Sequence, residues 1–207
     1  MSSTINVIQF TNEGCLIVYD EKHTLNSYSE KVLFIEETTK WNEIQHEARK
    51  VEFIGIRTLR NFCGIDSAIF YSPSGKPTLD PALQKEISIS HSRHFCALAY
   101  GDSELGLDIE EINERILKVQ SKFIHEKERS FFREDLATVL TKLWCMKEAM
   151  FKLNNRKGID FKTEMLVESN DGDVYFGKML CEDGWRKTKM HCFQVDMLIF
   201  CLCTYFD

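Results

Sequence analysis

The spacing of apolar positions changes period along the chain, and each change marks an element. In WNEIQHEARKVEFIGIRTLRNF (41–62), Ile44, Ala48, Val51, Ile54 and Leu59 recur at helical spacing, predicting one helix that carries Arg49, Arg57 and Arg60. YSPSGKPTLDP follows, with Pro73, Pro77, Pro81 and Gly75 breaking any regular element. The period then becomes two: ISIS (87–90), FCALAY (95–100) and LGLDIE (105–110) read as short strands. A helical pattern runs from about Asn113 to Leu153, interrupted near His125. The end returns to strands, in VYFGKML and the cysteine-rich FQVDMLIFCLCTYF. The order α, β, α, β predicts an α+β fold of two comparable halves, residues 1–102 and 103–207, with no repeats and no Pro/Gly/Ser-rich linker.

Within LGLDIE, Leu105, Leu107 and Ile109 point to one face, and Gly106, Asp108 and Glu110 to the other. Two carboxylates two positions apart on a strand lie roughly 7 Å apart at Cα, near enough to converge on one ion, and such hard oxygens suit Mg²⁺. The plain alternative is a solvated sheet face. Asp108 fits that alternative poorly, because aspartate is disfavoured in strands.

LWCMKEAMFKL (143–153) poses a second question. Leu143, Met146, Ala149, Met150 and Leu153 form an obvious core side, while Trp144, Lys147, Glu148, Phe151 and Lys152 share the opposite arc. Two large rings on that arc call for a covering. A ligand-lined cleft supplies one, with Lys147, Glu148 and Lys152 projecting into it and the flanking ammonium groups favouring ionised Glu148. A Glu148–Lys152 pair on a wet face is the plain alternative.

Composition narrows the class. At 207 residues and 43% hydrophobic, the chain can build one sizeable core or two small ones. A formal charge of −6 argues against general affinity for nucleic acid. The eight cysteines form no C-x-x-C pair and sit among apolar neighbours, as reduced core residues do, rather than a zinc site or disulfide framework. No stretch approaches the ~20 apolar residues of a membrane span, and the N-terminus lacks a basic region followed by a long apolar run. The reading is a soluble cytoplasmic protein.

These pieces also occur together in a known order. GLDIE at 106–110 followed by WCMKEAMFK at 144–152 resembles the two-part signature of 4′-phosphopantetheinyl transferases. Ser90, His91 and Ser92 of ISISHS and Gly75, Lys76 and Pro77 of PSGKP resemble that family's remaining motifs. The arginine-bearing helix and KGIDFKTEMLVES extend the likeness from about Arg49 onward; the first forty residues find no match. The length is similar to the longer single-chain type, like the activators of surfactin-type peptide synthetases, in which two similar α+β halves form a monomeric pseudodimer.

The resemblance implies transfer of 4′-phosphopantetheine from coenzyme A to a serine of an apo acyl or peptidyl carrier protein, releasing 3′,5′-ADP. It implies Asp108, Glu110 and Glu148 as ligands for Mg²⁺, with Mn²⁺ as a substitute. Glu148 is implied as metal ligand or proton acceptor, Lys152 as partner of the leaving group, and Lys147 as more structural than catalytic. Lys76, Ser90 and His91, beside Gly75, are implied for the coenzyme A phosphates, Arg49 and Arg57 for the 3′-phosphate, and Thr58 for the adenine edge. The basic helix between Arg49 and Arg60 and the segment before Phe131 are candidate carrier contacts. Two other classes stay open on sequence: a carrier-binding member that transfers nothing, and a Mg²⁺-dependent nucleotide hydrolase using the same acids.

Overall fold

The computed structural model describes residues 5–10, 14–132 and 135–206. The chain divides into two compact units, Met1–Ser103 and Glu104–Asp207.

The N-terminal unit opens with a hairpin, β1 (Asn6–Phe10) and β2 (Cys15–Glu21), so strands precede the first helix. The expected order α, β, α, β is corrected here, in the region where the sequence found no likeness. α1 (Ile35–Glu43) and α2 (Glu47–Phe62) replace the single predicted helix. Ile44 and His46 adopt extended backbone at the break, and the chain reversal brings the Trp41 ring to 6.1 Å from Phe53. The looped stretch 71–81 takes part in a small hairpin, β3 (Phe70–Tyr71) and β4 (Pro77–Thr78), turned at Gly75 with φ +95°. β5 (Glu86–His91) and β6 (Phe95–Gly101) complete an antiparallel sheet in the order β1-β2-β6-β5. Val18, Ile56, Leu59, Ile87 and Leu98 form its core against α2.

A buried ion-pair node braces α1 against α2. Glu37 Oε1 accepts from Arg57 Nε (3.0 Å) and Ile69 N (3.0 Å), and Oε2 accepts from Arg60 Nη1 (2.7 Å) and Phe34 N (3.0 Å). Burial opposes ionisation of Glu37, but the backbone N–H groups and both arginines outweigh it and hold the carboxyl below its usual range.

The C-terminal unit is a five-stranded antiparallel sheet crossed by one helix. β7 (Leu105–Glu111), β8 (Met165–Asp171), β9 (Val174–Cys181), β10 (Gly184–Val195) and β11 (Leu198–Tyr205) run in the order β7-β11-β10-β9-β8. α3 (Leu136–Asn154) starts at Asp135, whose carboxylate accepts from Thr138 N at 2.9 Å, and stops at Asn155 in the left-handed region. Its Leu143, Met146, Ala149, Met150 and Leu153 are buried on the sheet with Met165, Met190 and Ile199, as the period predicts. Each buried Leu, Ile or Met among them contributes roughly 2 kcal/mol of burial, and Ala149 less.

The long helical region predicted from Asn113 is shorter than expected. Residues 114–131 instead form 3-10 turns at Glu114–Lys118, Gln120–Lys122 and Glu126–Phe131. Asn113 and His125 side chains accept from Arg115 N and Lys127 N, local bonds that compete with helix continuation. All eight cysteines are free, and seven are buried. Among the described residues no helix is long and apolar enough to cross a membrane.

Candidate functional site

The approach of α3 to β7 makes the site of the C-terminal unit, and Gly106 makes the approach. A Cβ on Gly106 would lie 2.0 Å from the Ala149 carbonyl oxygen and 2.7 Å from Leu153 N, so only glycine lets the helix backbone rest there. The following inward position on the strand is Asp108. It is 4% exposed, which excludes the solvated-face alternative.

Lys152 Nζ donates to Asp108 Oδ1 at 2.7 Å, and Trp144 Nε1 donates to Glu110 Oε1 at 2.8 Å. Thus the helix reaches both strand carboxylates, one through an ammonium group and one through an indole. Glu110 is pushed up to about 7 by burial and by the Asp108 charge, with Glu148 adding to the effect and Trp144 and Lys152 opposing it. Glu148 is likewise pushed up to about 7, by burial first and Asp108 second, against Lys152. Asp108, Glu110 and Glu148 therefore share one electrostatic neighbourhood. The expectation that flanking ammonium groups would keep Glu148 ionised is overturned, because burial and Asp108 outweigh Lys152, while Lys147 is turned away.

Lys147 is fully buried, not projecting into a cleft. Its Nζ donates to Phe123 O (2.6 Å), Phe161 O (2.8 Å) and Glu128 Oε2 (2.8 Å). The rings expected to wall a cleft are covered by protein instead. Trp144 meets Phe123 edge-on at 5.1 Å and Phe161 at 5.5 Å, and Phe151 meets Phe161 at 5.7 Å. Cys145, on the sheet side, is buried and its thiol pushed well up by that burial, so it stays protonated.

Among the described residues no three His, Cys, Asp or Glu side chains already stand as a closed metal-ligand set. The donor chemistry still fits Mg²⁺, which takes one or two protein carboxylates and fills its remaining positions with water and substrate phosphate oxygens. A cavity of about 440 Å³ between α3 and β8 is lined by Phe131, Lys142, Met146, Glu168 and Tyr175, among others, and by none of these carboxylates.

In the N-terminal unit, a cavity of about 500 Å³ is lined by Arg49, Glu52, Phe53, Arg57, Tyr71 and His91, among others. Three residues expected to meet coenzyme A thus share one cavity. Glu52 gathers basic side chains: Oε1 pairs with Lys22 (2.9 Å), and Oε2 with Arg49 (2.7 Å) and His91 (3.6 Å). Arg57 is at the cavity wall, but the residue is 1% exposed, with its guanidinium bound to Glu37 and stacked 3.5 Å over the Phe53 ring. The reading of Arg57 as an open phosphate ligand is narrowed: its Nε donates to Glu37 and its Nη1 to Phe53 O, so two of its three nitrogens serve the fold. Arg60 is buried likewise, so the helix offers Arg49 rather than a basic face.

Thr58 donates back to Ile54 O at 2.9 Å and is not part of the cavity wall. Lys76 pairs with Glu86 at 3.6 Å, Gly75 turns the β3–β4 hairpin, and Ser90 is buried on β5; none of the three lines that cavity. Sequence reasoning missed Lys22, Glu52 and Glu128. The i, i+3 spacing of Arg49 and Glu52 was the one available signal.

Residues 104–194 match the family model of the 4′-phosphopantetheinyl transferase superfamily. The C-terminal unit is a 4′-phosphopantetheinyl transferase superfamily domain. The match spans β7, α3, β8, β9 and nearly all of β10, the elements that carry Asp108, Glu110, Glu148 and Lys152. Members of this superfamily are typically phosphopantetheinyl transferases. No curated protein matches the chain.

Proposed function

We propose that the chain transfers 4′-phosphopantetheine from coenzyme A to a serine of an apo acyl or peptidyl carrier protein, releasing 3′,5′-ADP. The observation that carries this reading is Lys152 seated on Asp108 beside two glutamates whose carboxyls titrate near 7. Transfer is attack of a serine oxygen on a pyrophosphate phosphorus, so catalysis consists of positioning, proton acceptance and charge neutralisation. Glu148, half-buried and poised near neutrality, has the acidity of a general base and takes the serine proton. Lys152 stands one helical turn beyond it and neutralises or protonates the leaving 3′,5′-ADP phosphate.

Asp108 and Glu110, with Glu148, would hold Mg²⁺, which when bound draws charge from the pyrophosphate. In the N-terminal unit, Arg49 and His91 offer phosphate ligands, and Glu52, itself paired with Lys22, holds them in place. Both units lay helix against antiparallel sheet, which supports reading the chain as two related halves of a monomeric pseudodimer.

The test is release of 3′,5′-ADP from coenzyme A with Mg²⁺, with and without an apo carrier. Release that requires the carrier supports the transferase; release without it means hydrolysis; no release with any carrier type leaves an inert carrier-binding fold.

A further inference from the structure

The signature arc of α3 contains two residues, Trp144 and Lys147, that touch no candidate reacting group other than through Glu110. We propose that Trp144 is a positioning residue that orients Glu110 for its cation. The inference rests on the reading of Glu110 as a cation ligand.

A glutamate on a strand has three side-chain torsions to fix before both oxygens are aimed. Trp144 Nε1 donates to one oxygen, Oε1, at 2.8 Å across 34 residues of sequence, which fixes the plane in which the carboxylate can turn. The indole itself is immobilised: Phe123 lies edge-on at 5.1 Å and 68°, and Phe161 lies at 5.5 Å and 33°. Those two rings come from irregular segments, which would ordinarily be loose anchors.

Lys147 removes that looseness. One turn along α3 from Trp144, its ammonium binds the carbonyls of both Phe123 and Phe161, at 2.6 and 2.8 Å. Its charge is matched by Glu128, whose two oxygens are held by Lys147, His125 N (2.8 Å) and Val167 N (3.0 Å). A buried lysine thus fixes two backbones, their rings fix an indole, and the indole fixes a carboxylate. Outer-shell hydrogen bonds of this kind set the orientation of metal ligands, and losing one costs roughly tenfold to a hundredfold in metal affinity.

The experiment titrates Mn²⁺ into the full chain with coenzyme A and no carrier, reading free Mn²⁺ by electron paramagnetic resonance. Trp144→Phe keeps a ring between Phe123 and Phe161 and removes only the N–H donor and part of the indole. Its Mn²⁺ affinity should fall by roughly tenfold or more; an affinity equal to that of the unmodified chain overturns the proposal. A second measurement uses the Trp41→Phe/Trp185→Phe chain, in which Trp144 is the remaining tryptophan. Mg²⁺ should change its emission in step with site occupancy, and an emission indifferent to Mg²⁺ also overturns the proposal. An unmodified chain that binds no Mn²⁺ removes the inference too. One that binds Mn²⁺ and passes both tests, yet modifies no carrier, removes the transferase reading and leaves Trp144's role standing.

Discussion

Gly106→Ala puts a single methyl group where the backbone of α3 already lies. The added carbon would be 2.0 Å from the Ala149 carbonyl oxygen, against the 3.4 Å at which ordinary contact begins, so the helix must retreat by about 1.4 Å (3.4 − 2.0). The second obstacle, Leu153 N at 2.7 Å, is also backbone, so no side-chain rotation relieves either. Overpacking against backbone on both counts belongs at the upper end of its range, about 3 kcal/mol. For a unit of this size that corresponds to about 10 °C or more in unfolding temperature. The same retreat carries Glu148 and Lys152 away from Asp108 and Glu110. A misplacement near 1 Å in reacting groups costs about a hundredfold in rate. Thermal unfolding by circular dichroism and transfer to an apo carrier, measured on one preparation, read both effects. A Gly106→Ala chain that melts within about 2 °C of the unmodified protein and transfers at its rate would refute the claim that helix–strand contact sets the site.

Other expectations follow from the same geometry. Lys147→Met leaves Glu128 charged and uncompensated in the core and should cost about 3–5 kcal/mol in urea unfolding; Lys147→Met with Glu128→Gln should recover part of it. Arg49→Ala should raise the KM for coenzyme A with unfolding temperature unchanged, whereas Arg57→Ala should lower unfolding temperature by breaking the Glu37 node; the reverse pattern would reassign the two arginines. In metal-free buffer, folded Glu110 and Glu148 keep their protons to about 7 while ordinary glutamates lose theirs near 4.5, so ionisation favours the unfolded chain and stability falls as pH rises through that window. Melting temperatures from pH 5 to 8 should show the fall, and Glu148→Gln should reduce it.

The elements that carry the candidate chemistry were the legible ones. Period two across LGLDIE and the Leu/Met stripe of α3 reflect burial against one neighbour, which is what periodicity records. Less legible was anything decided by a second neighbour. The arc of Trp144 and Phe151 reads as a face needing a ligand, because nothing in a helical wheel shows that Phe123 and Phe161 fold over it. Lys147 and Arg57 read as available cations for the same reason: their partners, Glu128 and Glu37, lie 19 and 20 residues away. The acidity of Glu148 was misjudged because sequence counts flanking charges and cannot weigh burial. The 3-10 turns at 114–131 have helical composition but are pinned by side-chain caps at Asn113 and His125.

The central claim is that carboxylates from β7 and α3 act together to move a phosphopantetheine arm. Intact-mass spectrometry of apo acyl and peptidyl carriers, incubated with coenzyme A, Mg²⁺ and either the unmodified chain or Asp108→Ala, tests it most directly. The account predicts that at least one carrier gains the mass of one phosphopantetheine on its serine with the unmodified chain, and none with Asp108→Ala. Carriers left unchanged by the unmodified chain, or modified equally by the folded Asp108→Ala variant, would contradict it.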